Sequence, residues 1–123
     1  MTDQSQKQLL LQYRVEAGCL GPTGQDFVED FCFFAYSALA SFEDDVARWE
    51  IIPRYDKGLA EFEYRLHGTK SLSRAQAVRY LQACNKNLDE MECAFGDKLS
   101  ELIDEFGRQF SRVFVELRYI LFE

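Results

Sequence analysis

The sequence has one histidine, two prolines, no Cys-x-x-Cys pair and no apolar run of transmembrane length. Each shortage closes a class of function. Cysteines at 19, 32, 84 and 93 and the single His67 are scattered, without the spacing that zinc ligands need, so no metal site is expected. The polar Met1–Gln8 segment lacks the shape of a signal peptide. Free thiols in a reducing, cytoplasmic compartment are therefore expected rather than disulfides. Without a long apolar run, no membrane span is expected. Positive charge is short as well: 14 Lys and Arg stand against 21 Asp and Glu, for a net charge of −7. A nucleic-acid footprint or an anionic membrane surface needs a basic stripe, which is absent. The glycine-containing loop Gly18–Gly24 lacks both the P-loop lysine and dinucleotide-binding spacing, so no nucleotide cofactor is expected. No repeat or low-complexity segment is visible.

What is present is a chain of 123 residues with 47% hydrophobic content, enough for one packed domain over 1–123. Residues 1–8 read as a disordered tail. Aromatics are abundant, with eleven Phe, six Tyr and one Trp. They either fill a core or leave an adhesive face.

The chain is organised around Leu9 to Phe42. Leu9, Leu11, Tyr13, Val15 and Ala17 alternate with Leu10, Gln12, Arg14 and Glu16, the period of a half-buried strand. Three glycines and Pro22 between Gly18 and Gly24 then make a tight loop around Cys19. Thr23 is placed to cap the helix that follows, which runs to about Ser41. Phe27, Val28, Phe31, Phe34, Ala35, Ala38, Leu39 and Phe42 follow helical spacing and define its core face. Phe33 and Tyr36 lie outside the centre of that face. Either the long C-terminal helix covers them or a partner does.

An acidic connection leads to a second strand over about Val46–Tyr55, on which Trp49, Ile51 and Tyr55 share a face. Pro53 cannot donate to a ladder, which marks this strand as an edge or as ending there. Asp56-Lys57-Gly58 reads as the turn of a hairpin to a third strand, Leu59–His67. Arg14, Glu16, Arg48, Glu50, Glu61, Glu63 and Arg65 then form a solvated outer sheet face, or a polar platform. Gly68–Leu72 reads as a loop. Ser73 caps a short helix from Arg74 to about Cys84, broken by Asn85-Lys86-Asn87. A helical pattern resumes at Leu88. Residues 112–122 fit two patterns. Carried on as helix, the pattern spans about 50 Å to Leu121, longer than this domain covers. As a strand, the same residues alternate.

The fold class is α+β, a small mostly antiparallel sheet packed on helices. The order is β-α-β-β-α-α, or a split β-α-β-β-α-β if 112–122 is a strand. Two functional classes follow. The first is a cytoplasmic interaction or regulatory protein that self-associates as a homodimer or meets a protein partner. Its surplus aromatics Phe33, Tyr36, Phe114, Tyr119 and Phe122 would form the interface. The second is a small-ligand binder or thiol enzyme using a pocket under the Cys19 loop, walled by Tyr13, Phe27 and Trp49. Cys19 would be its nucleophile and His67 the only imidazole to activate it.

Overall fold

The structure, a computed structural model, describes residues 8–21, 24–66 and 70–121, with side chains up to residue 109. Strand β1 is Leu9–Val15, followed by a 3-10 turn at Ala17–Leu20 and helix α1, Gly24–Leu39. Strands β2 (Ala47–Pro53), β3 (Phe62–Leu66) and β4 (Lys70–Leu72) precede helices α2 (Arg74–Ala83) and α3 (Leu88–Leu121). The fold is α+β, as its alternation and helical spacing indicate.

The sheet is mixed, in the order β2-β1-β3-β4. Strand β1 pairs parallel with β2 and antiparallel with β3, while β3 and β4 are antiparallel. The expected hairpin between the second and third strands does not form. β1 lies between them and takes the ladder bonds of both. Arg54 N–H donates to Val15 O at 2.8 Å on one side, and Arg14 N–H to Glu61 O at 2.9 Å on the other. The Asp56-Lys57-Gly58 turn is real, with Gly58 N–H on Asp56 Oδ1 at 2.9 Å, but it carries the chain across the end of β1. The expected loop at 68–72 contains β4, a strand of three residues too short to show a period.

The odd-numbered residues of β1 and β2 point at the helices. Leu9, Leu11, Val15, Trp49 and Ile51 join Phe31, Ala35 and Leu39 of α1 and Met91, Phe95, Leu99 and Leu102 of α3 in one core. Phe95 is its hinge: it stacks on Trp49 at 4.6 Å and meets Tyr13 edge-on at 5.0 Å. Trp49 Nε1 donates to Phe42 O at 2.8 Å, which satisfies its one polar atom. Gly24 opens α1 against the 3-10 turn. A Cβ there would lie 1.9 Å from Ala17 O, so only glycine fits.

Residues 112–121 are helix, not strand. α3 runs unbroken for 34 residues because its apolar positions keep the helical period to the end. Gly107 lies inside it as a tolerated interruption. Ser73 caps α2 through a complete capping box with Gln76.

Candidate functional site

Helix α1 has two flanks. On one, Phe31 and Phe34 meet Phe106 of α3, at 5.4 and 5.7 Å between ring centroids. On the other lie Glu29, Phe33, Tyr36 and Ala40, one stripe at helical spacing. Phe33 is 76% exposed, and Tyr36 and Tyr55 are 46% and 72% exposed. Helix α3 therefore leaves Phe33 open among the described residues. Tyr55, just beyond β2, donates its hydroxyl to Glu29, a bond that pushes the phenol above its usual value. Tyr36, Ala40, Gln8, Asp44, Ala47, Arg48 and Trp49 line a shallow pocket of about 320 Å³. Three exposed aromatics thus stand along one side of the molecule, beside β2.

That side is also where the sheet stops. Pro53 signalled an edge, and β2 is one. Leu9 N–H donates to Val46 O, and Arg54 N–H to Val15 O. These bonds direct the even-numbered backbone groups of β2 at β1. The odd-numbered groups face outward. Ala47 N–H turns back to Glu43 O at 2.9 Å, and Pro53 has no N–H. The N–H and C=O groups of Trp49 and Ile51 remain, unpaired with backbone among the described residues.

The uncovered face of the sheet is not merely solvated. Gln12 and Arg14 are each only 7% exposed. Gln12 Nε2 donates to Glu50 Oε1 at 2.7 Å, and Arg14 donates to Gln12 Oε1 at 3.1 Å. Arg14 also donates to Ala60 O at 2.7 Å and pairs with Glu63 at 3.3 Å, which Arg65 shares at 3.3 Å. A chain of charges and amides crosses three strands. The expectation of a solvated face fails at Arg14 because the 56–60 turn closes over its head.

The other candidates, Trp49 excepted, lie apart from this edge. Cys19 is exposed in the 3-10 turn, as is Cys93 on α3, so exposure alone does not single it out. Tyr13 and Trp49 are brought together, but Phe95 packs between them and occupies the space. Burial, with Glu61, Cys19 and Glu16 nearby, pushes the Tyr13 phenol up to about 12. Phe27 is half-buried on the α1 flank nearer α3. His67 and Phe122 lie outside the described residues, as do the side chains of Phe114 and Tyr119. A second, larger cleft of about 620 Å³ sits where α2 gives way to α3, lined by Glu43, Asn85, Lys86, Asn87 and Glu90. Lys86 there is pinned by Glu43 at 3.0 Å and Asp45 at 3.6 Å. Among the described residues, no group of three or more His, Cys, Asp or Glu is placed to hold a metal ion. Nor is any helix of those residues long and apolar enough to cross a membrane.

Arg48, Glu50 and Tyr55 were missed as site residues. Alternation set the first two on an outer face, solvated or a polar platform, and the third on the face of Trp49 and Ile51. The packing of α1 on β2 brings Tyr55 to Glu29 and Arg48 to the pocket shared with Tyr36, while Glu50 lies on the uncovered face of the sheet beside Gln12. No protein-family model, no curated protein and no solved structure matches this chain.

Proposed function

We propose that this protein works by association, as a cytoplasmic homodimer whose contact surface is the α1 flank beside β2. The observation that carries the reading is Phe33, 76% exposed in the middle of a helix whose Phe31 and Phe34 pack on Phe106 of α3. A lone exposed phenylalanine is ordinary, but here Tyr36 and Tyr55 adjoin it at an open sheet edge. Aromatics of this kind are the anchors of protein interfaces. Four free cysteines, none bonded to another, support a reducing compartment.

Sedimentation velocity at micromolar concentration tests this. The wild type sediments as a dimer. Phe33→Ser weakens association about thirtyfold, in keeping with the loss of an interface anchor worth roughly 2 kcal/mol, and leaves the monomer folded. A wild type that remains monomeric removes the reading.

A further inference from the structure

We propose that the second copy joins strand to strand at β2, antiparallel about a two-fold axis at Trp49, so that two four-stranded sheets become one of eight. This rests on the self-association reading above and names its geometry.

Trp49 and Ile51 present unpaired N–H and C=O groups along the open edge. An open edge is a template for another strand, and a two-fold contact must be self-complementary. Antiparallel pairing sets outward-facing residues opposite outward-facing residues, which leaves few registers. With Glu50 opposite the partner's Glu50, carboxylate meets carboxylate. With Arg48 opposite the partner's Arg48, guanidinium meets guanidinium. Sliding the other way brings Pro53 opposite Trp49 or Ile51, where an N–H is required and proline has none. Trp49 opposite the partner's Trp49 avoids all three faults. Each Trp49 N–H then donates to the partner's Trp49 C=O, and each Ile51 N–H to the partner's Ala47 C=O, sharing it with or displacing the long 3.4 Å bond from Gln8 Nε2.

The same register sets Arg48 directly opposite the partner's Glu50, twice by symmetry. The Arg48 side chain is exposed and, among the described residues, has no ion pair or side-chain hydrogen bond. Glu50 commits Oε1 to Gln12 and keeps Oε2 for a second donor. Opposite charges facing each other across two strands stabilise the pairing, and like charges oppose it. The strand axis also falls where the apolar flank needs it. Tyr36 and Ala40 share a pocket with Ala47, Arg48 and Trp49, so the two α1 helices would approach over the axis.

The test combines charge reversal with amide exchange on the full chain. Arg48→Glu and Glu50→Arg each weaken the dimer about tenfold, because two attractive pairs become repulsive. The double variant R48E/E50R restores affinity to within about threefold of wild type. In the wild-type dimer the Trp49 and Ile51 amides are protected, and they exchange faster on dilution to monomer. A dimer indifferent to both single reversals, or one whose Trp49 and Ile51 amides exchange freely, overturns edge pairing while leaving self-association intact. A wild type that is monomeric at micromolar concentration overturns both.

Discussion

Tyr13 shows how one position serves packing and electrostatics together. Its ring closes the core against Phe62 at 4.9 Å and Phe95 at 5.0 Å. Its hydroxyl is held in its protonated form by burial first, then by Glu61, with the phenol raised to about 12. Burial likewise raises the Cys32 thiol to about 12. Both groups bind their protons more tightly in the folded chain than in the unfolded one. The stability each contributes is therefore complete below its ordinary value and is lost as pH rises towards about 12. Urea unfolding at a series of alkaline pH values is expected to show a falling midpoint. Tyr13→Phe keeps the ring, removes the hydroxyl and makes that fall shallower above the ordinary phenol value. An unchanged slope would mean that Tyr13 ionises freely in the folded state.

Arg14 teaches the opposite lesson. Its place in the alternation was legible, but its burial was not. Residues 56–60 supply the cover, and nothing in the spacing of β1 says that a distant turn will lie across it. Removing Glu63 leaves the buried Arg14 guanidinium its bonds to Gln12 and Ala60 but no carboxylate, whereas Glu63 without Arg14 keeps Arg65.

Among the elements, α2 is bounded at both ends by local chemistry. Ser73 and Gln76 close its start reciprocally. At its other end Lys86 N–H donates to Leu81 O at 2.8 Å and Asn85 N–H to Gln82 O at 3.0 Å. Asn85 takes a left-handed backbone, φ 62°, to make both bonds. Asparagine tolerates that region better than other residues with a side chain, and glycine better still. Asn85→Ala is expected to destabilise the fold by about 1 kcal/mol and Asn85→Gly to be neutral or stabilising, as read from chemical denaturation midpoints. Equal losses from both would show that the Asn85 side chain, not its backbone, matters.

The strands were read less completely than the helices. Period and bounds of β1 and β2 were close, since alternation is a local property. β4 escaped because three residues hold no period. The 112–122 segment was open between two periods until α3 was seen to continue unbroken through Leu121.

For the whole molecule, the decisive feature is that α1 covers β2 with one flank open while α3 sets Phe95 over the centre of the sheet. The resulting core is shared by all three helices, so the open flank is a surface feature on a rigid support. A dimer formed only from folded chains adds its association free energy to stability. The thermal midpoint is then expected to rise with protein concentration. Differential scanning calorimetry over a hundredfold concentration range checks this, and a midpoint that does not move argues for a monomer. Phe33→Ser should shift the dependence to about thirtyfold higher concentration while leaving the low-concentration midpoint in place.

By itself, the sequence determined the α+β class, the bounds of α2 and the start of α3, the capping of α2, most of the core face of α1, Ala38 being exposed, and the edge or end that Pro53 marks. Periodicity, caps and proline chemistry act over a few residues, so they can be read along the chain. The tertiary structure alone decided that β1 would separate β2 from β3, that Arg14 would be covered, and that Phe33, Tyr36, Tyr55 and Arg48 would come to one side of the molecule. Strand order and burial depend on which distant segments compete for the same ladder and the same apolar surface. That competition is settled only when the whole chain packs.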